Sequence, residues 1–297
     1  MKLLTIKKNK VQSLGVKTAR GIIDIEKALV NHPNEHISAN VTEVIKGGQE
    51  TVSELQKYID SLPEEEQSYL IQENEVAWGS PVPKPNKIIC VGLNYRKHAD
   101  ETGSPYPETP ILFPKYHNAL AAHQDEIVIP KVTNKLDYEV ELGIVIGKKA
   151  KNISKEEALD HVFGYVTAND LSARDLQFVS SQWLLGKSCD GFSPVGPYVV
   201  TSDEVGNPNN LKLKTYVNGE ERQNSNTADM IFYCDEIISY ISDYMTLIPG
   251  DIILTGTPEG VIFGYPEEKQ VYLQSGDEVT VEIEKVGRLT NKFVEDK

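Results

Sequence analysis

The residues of this 297-residue chain best placed to do chemistry lie in LDYEVELGIVIG, 136–147. Leu136, Tyr138, Val140 and Leu142 alternate with Asp137, Glu139 and Glu141, the period of a β-strand with one apolar face. That alternation predicts Glu139 and Glu141 on the same face, their Cα atoms roughly 6.6 Å apart at two strand rises. Carboxylates that close repel each other unless a cation or a proton lies between them. The same alternation also describes an acidic, solvent-facing strand edge. A third carboxylate, Asp170, ends the run FGYVTAND just before a Ser172-led helical start, where it serves either as a ligand or as a helix cap. Carboxylate oxygens with no cysteine or adjacent histidine are hard donors, suited to Mg²⁺ or Mn²⁺ rather than Zn²⁺ or copper. Such a site leaves cation positions for the carboxylate and carbonyl oxygens of a 2-oxo acid.

His98 and Glu101 are three residues apart, so on a helix they share a face and can hydrogen-bond. That is the arrangement of an oriented general base, and equally of an ordinary surface pair. The following TGSPYPETP, with Gly103 and three prolines, suits a lid beside a site. Lys187 lies in GKS, but a phosphate loop ending at Ser188 requires glycine where Ser181 stands. GFSPVG fails as a nucleophile elbow because Val195 replaces the second glycine. Thr255-Gly256-Thr257-Pro258 follows a strand; its backbone N–H groups either hold a carboxylate or make a plain tight turn.

These residues need a scaffold. Short β-rich runs separated by turn signals (KIICVG, EIVIP, VELGIVIG, FGYVTAND, SPVGPYVV, LKLKTYVNG, DIILTG, EVTVEIEKVG) dominate from residue 87 onward. Few helices interrupt them: SKEEALDHV, with Ser154 and Glu157 in capping-box register, and DEIISYISDYM. The pattern predicts an α+β fold, a large mixed β-sheet roll or sandwich and not a regular βαβ array. Residues 1–78 read as a small N-terminal α+β domain. It carries a hairpin in LGVKTARGIIDI and a helix with Val52, Leu55, Ile59 and Leu62 at helical spacing, interrupted at Gly47-Gly48. The acidic run EEEQ at 64–67 reads as a solvated helix face. The proline-rich 79–86 reads as a linker to a catalytic domain spanning 87–297.

Composition sets limits. A net charge of −14 argues against a nucleic-acid partner, whose phosphates need basic neutralisation. No stretch approaches the roughly 18 apolar residues of a membrane span, nor does the N-terminus resemble a signal peptide, so a cytoplasmic location is expected. Cys90, Cys189 and Cys234 form no CxxC pair, which leaves a disulfide framework or zinc finger without support.

Six segments together resemble the fumarylacetoacetate hydrolase superfamily in order and spacing: VGLNYRKHADE (91–101), LDYEVELGIVIG (136–147), FGYVTANDLSARDLQ (163–177), GKSCDGFSPVGP (186–197), VNGEERQ (217–223) and LTGTPEGV (254–261). The resemblance covers about 85–297 and leaves 1–78 as that family's variable extra domain. It implies Glu139, Glu141 and Asp170 as ligands of Mg²⁺ or Mn²⁺. It implies Lys187 as the lysine that stabilises a developing enolate, and His98 with Glu101 as a dyad that activates water in hydrolytic members. Arg174, Gln177 and Thr257 fall at substrate-contacting positions. A homodimer is implied as well.

The expected activity is metal-dependent cleavage of a C–C bond in a small 2-oxo acid through a metal-bound enolate, by acylpyruvate hydrolysis (a hydrolase) or oxaloacetate-type decarboxylation (a lyase). The alternative is a tautomerase or isomerase of oxaloacetate or of 2-hydroxy-dienoate dioic acids. A non-catalytic regulatory member is the third reading. The chain departs from the family pattern at Tyr116, His117, Asn118 and His123, which are expected to line the substrate pocket.

Overall fold

The structure is a computed structural model and describes residues 1–8 and 11–296. Its spine is a mixed sheet that runs Leu70–Ile71, Gly21–Asp24, Val11–Thr18, Lys2–Lys8, Ser193–Thr201, Val162–Asn169, Val140–Ile146, Ile252–Leu254, Ile88–Gly92 and Ile111–Lys115. Most neighbours are antiparallel, but Ile252–Leu254 runs parallel to Ile88–Gly92. A second, five-stranded sheet orders Glu220–Asn226, Lys212–Val217, Glu278–Ile283, Gly287–Glu295 and Glu126–Ile129. This is the α+β architecture of large mixed sheets that the sequence predicts.

Residues 1–78 contribute the expected hairpin of Val11–Thr18 with Gly21–Asp24. Strand Lys2–Lys8 joins this region to the main sheet by pairing with Ser193–Thr201. Helix Val41–Ser61 starts at Asn40, whose side chain accepts from Thr42 N, and leaves helical geometry at Gly48. It packs Val44, Ile45, Val52 and Leu55 on the face of the sheet that carries Val145, Phe163 and Val166. The EEEQ segment is a turn and not the expected helix face; Pro63, just past the helix end at Ser61, lacks the N–H that continuation requires.

Central strands are buried on both faces. In Val140–Ile146 all residues are buried, with Leu142, Ile144 and Ile146 in one apolar core and Val145 in the other. The expected strand over 136–147 is divided: Leu136–Asp137 pairs with Ser172–Ala173, and Val140–Ile146 begins afterwards. The physical cause lies at the junction, where Glu139 N donates to the Asn169 side chain and Val140 N to the Gln223 side chain. Side-chain acceptors there replace a backbone partner, and the ladder breaks. Ser172 sits in the short bridge, so helix Arg174–Gln177 is capped at Ala173 and not led by Ser172.

Candidate active site

Three carboxylates converge from neighbouring segments. Glu141 comes from the central strand, Glu139 from the break before it, and Asp170 from the end of Val162–Asn169. All are buried, and one oxygen of each lies within 4.8 Å of the others. Asp170 is a member of this cluster and not a helix cap.

Cations surround the group. Lys187 Nζ donates to Glu139 Oε2 at 2.7 Å and to Asp170 Oδ2 at 2.9 Å. Lys115 Nζ pairs with Asp170 Oδ1 and also reaches Leu171 O at 3.3 Å. Arg174 Nε donates to Asp137 Oδ2 at 2.9 Å and its Nη1 to Gln177 Oε1 at 3.0 Å. Arg174 Nη2 lies 2.7 Å from Glu139 Oε1, but off the direction of a hydrogen bond, so this contact is an ion pair.

The carboxylates differ in their electrostatics. Burial works to raise the Glu139 pKa, but Lys187 and Arg174 outweigh it and hold it at about 2. Glu141 has no such partner; burial, then the charges of Asp170 and Glu139, push its carboxyl well above the usual range. Its Oε2 accepts from Gly256 N at 2.7 Å. The residues fit a divalent cation: three buried hard oxygen donors converge, and the acid without an ammonium beside it is the one that a bound cation would stabilise.

A cavity of about 190 Å³ opens onto this cluster, lined by Glu139, Glu141, Lys187 and Arg174 together with His98, Gln177 and Thr257. Asp170 lies behind Lys187. Helix Arg96–Glu101 presents the dyad, with His98 Nδ1 2.8 Å from Glu101 Oε1. Glu101 Oε2 accepts from Gly260 N at 2.9 Å, which ties this helix to the loop across the cavity. Thr257 Oγ1 accepts from Gln223 Nε2 at 3.0 Å. The structure therefore brings Glu139, Glu141, Asp170, His98, Glu101, Lys187, Arg174, Gln177 and Thr257 to one place.

Two residues of the site carry no predicted role. Lys115 is fully buried at the end of Ile111–Lys115; its signal is a lysine closing an apolar strand. Asp137 accepts from Arg174, Tyr138 N, Ile262 N and Phe263 N, and so aims the guanidinium while anchoring the loop. Its signal is its place in the alternation that also holds Glu139 and Glu141.

The expectation for Tyr116, His117, Asn118 and His123 fails. None lines the cavity. Lys115 points inward, so Tyr116 and His117 emerge on the surface as the chain turns. Asn118 donates to Ser188 O and Asp190, and His123 packs against Trp78.

Comparison with known proteins agrees with this geometry. Residues 87–294 match the fumarylacetoacetate (FAA) hydrolase C-terminal family. The chain belongs to that family. It is 41% identical over 285 residues to the mitochondrial oxaloacetate tautomerase FAHD2A of Bos taurus, covering 95% of this chain and 87% of the relative. The fumarylacetoacetate hydrolase of psychrophilic Exiguobacterium antarcticum superposes with a TM-score of 0.84 at 35% identity, over all of both chains. The maleylpyruvate hydrolase of Sphingobium sp. SYK-6, solved with manganese(II) and pyruvate, does so with a TM-score of 0.80 at 30% identity, again over both whole chains. Among the described residues no helix is long and apolar enough to cross a membrane.

Proposed function

We propose that this protein is a Mg²⁺- or Mn²⁺-dependent enzyme that enolises a small 2-oxo acid, with keto–enol tautomerisation of oxaloacetate as its first reaction. The observation that carries this reading is the convergence of the Glu139, Glu141 and Asp170 oxygens with the His98–Glu101 pair on one cavity. Placing tautomerisation ahead of the cleavage favoured from sequence rests on the likeness to the Bos taurus tautomerase.

When bound, the cation supplies Lewis acidity toward the substrate's carboxylate and 2-oxo oxygens. The chain's own groups do the rest. Glu101 holds His98 through Nδ1, leaving Nε2 to carry the proton between C3 and the 2-oxo oxygen: it leaves C3 and ends on that oxygen in enolisation, and makes the reverse transfer in ketonisation. Lys187, buried and held charged by Asp170 and Glu139 against the opposing effect of burial, faces the developing enolate oxygen. Gln177 and Thr257 line the cavity as donors for a carboxylate, beside Arg174, which Asp137 and Glu139 hold in place.

Hydrolysis of an acylpyruvate is the second reading, favoured by the intact His98–Glu101 pair, which would hold a water as readily as it moves a proton. The homodimer and cytoplasmic location belong to the same proposal and rest on the resemblance and composition.

The test is a panel of oxaloacetate, acetylpyruvate and fumarylpyruvate with Mg²⁺, Mn²⁺ or EDTA. Metal-dependent acceleration of oxaloacetate ketonisation, followed by loss of enol absorbance, is expected. No metal-dependent turnover of any member would overturn the proposal.

A further inference from the structure

Besides the carboxylate cluster, the cavity is lined by the apolar Val91, Gly92, Leu93, Phe113 and Trp183, with the hydroxyls of Thr102 and Ser104 among them. Trp183 is fixed from two sides. Its ring packs edge-on against Phe113 with centroids 5.3 Å apart. Its Cζ3 also fills the space over Gly92, where an added Cβ would stand 2.4 Å away. Leu93 is held just as firmly, in the left-handed region at φ 53°, a conformation that a bulky residue adopts only when its surroundings impose it. Asn94 imposes it, donating to Phe232 O and Thr255 O and accepting from Phe232 N.

Charge is distributed unevenly over this cavity. Its lining cations among the described residues are Arg174 and Lys187, both committed to Asp137, Glu139 and Asp170. Lys187, which lines the cavity beside Glu139, is the counter-charge available to a carboxylate at C4 of a 2-oxo acid seated at the cluster. One placed further along, past the Phe113 ring that Lys187 Nζ overlies at 5.1 Å, meets the half-buried Leu93 and Trp183, which offer a carboxylate no counter-charge, and partial desolvation without a partner disfavours it.

Building on the 2-oxo acid reading, we infer that Trp183 is a specificity-determining residue. Seated on Gly92 and against Phe113, it restricts the substrate to 2-oxo acids whose atoms beyond C4 are few and uncharged. Long dioates are excluded.

Three probes with no bond for the enzyme to cleave separate length from charge: 2-oxobutyrate, 2-oxohexanoate and 2-oxoadipate, titrated calorimetrically into the Mg²⁺-loaded protein. Wild type is expected to bind 2-oxobutyrate about tenfold or more tighter than 2-oxohexanoate, and 2-oxoadipate weakest of all. Trp183→Ala should close most of the gap between the first two. Trp183→Lys should bind 2-oxoadipate about tenfold tighter than Trp183→Ala does. A merely structural tryptophan would lower all three affinities together and leave their ratios unchanged, which overturns the inference. Equal binding of 2-oxoadipate and 2-oxobutyrate by wild type overturns it too, while leaving the functional reading intact. Binding of none of the three by wild type overturns that reading and the inference with it.

Discussion

The backbone N–H of Gly256 donates to Glu141 Oε2 at 2.7 Å, so the turn that follows Ile252–Leu254 holds one of the site's own carboxylates. Gly256 has φ 93°, and a Cβ there would lie 2.8 Å from Asn94 Cβ and 3.0 Å from Val91 O. Neither neighbour can yield easily, since one is backbone and the other a residue with three buried hydrogen bonds. Gly256→Ala is expected to weaken Mg²⁺ binding about 10–100-fold, the usual effect of disturbing a group that orients a ligand. Calorimetric titration with Mg²⁺ checks it; unchanged affinity would mean that the turn does not position Glu141.

Replacing a carboxylate ligand tests the site directly. Glu139→Gln and Asp170→Asn keep shape but remove charge, and each should abolish metal-dependent turnover. Glu139→Ala and Asp170→Ala should do the same while leaving the far-ultraviolet dichroism of the fold. Wild-type rates at saturating Mg²⁺ in either pair would remove the metal assignment.

Lys115 and Asp170 are both fully buried, so Lys115→Met leaves a carboxylate without one of its counter-charges. Breaking a buried pair in this way costs about 3–5 kcal/mol. A bound divalent cation would take over part of the lost compensation. The melting temperature should therefore fall without metal, and Mg²⁺ should raise it more in Lys115→Met than in wild type. An equal Mg²⁺ increment in both proteins would contradict this.

His98 separates proton and water chemistry from simple bond loss. His98→Ala should slow oxaloacetate ketonisation and acylpyruvate hydrolysis by about 10²–10⁴-fold, the usual contribution of a positioned acid–base group. Oxaloacetate decarboxylation releases carbon dioxide without water and should suffer less. Equal losses in all three would refute this division of labour.

His123 sets a pH dependence of stability away from the active site. Burial, only partly opposed by Glu73 and Asp125, lowers its pKa from 6.5 to about 4. Its ring packs edge-on to Trp78 with centroids 5.1 Å apart, and Nδ1 accepts from Thr290 N. Between pH 6.5 and 4 the unfolded chain therefore binds a proton that the folded protein does not. The contribution of neutral His123 is fully present above pH 6.5 and is lost progressively as pH falls toward 4. Denaturant midpoints measured across this window should fall less steeply in His123→Asn; identical slopes would rule His123 out.

Part of the site was legible in the chain from short-range spacing, and the rest from the six segments that resemble a known family. Period-two alternation put Glu139 and Glu141 near one another, and a separation of three put His98 beside Glu101 on a helix turn. Oxygen-only donors are the kind that suit a hard divalent cation. What the sequence could not decide was how distant elements face each other, since that depends on which strands pair. Whether Asp170 caps a helix or joins the cluster was settled by the pairing of Val162–Asn169 with Val140–Ile146. The inward aim of Lys115 was settled by its place at the edge strand of the same sheet. The outward turn of Tyr116 and His117 follows from that aim. Burial on both faces of the central strand turned an acidic strand edge into an enclosed cluster, where Lys187 and Arg174 beside Glu139 set it apart electrostatically from Glu141.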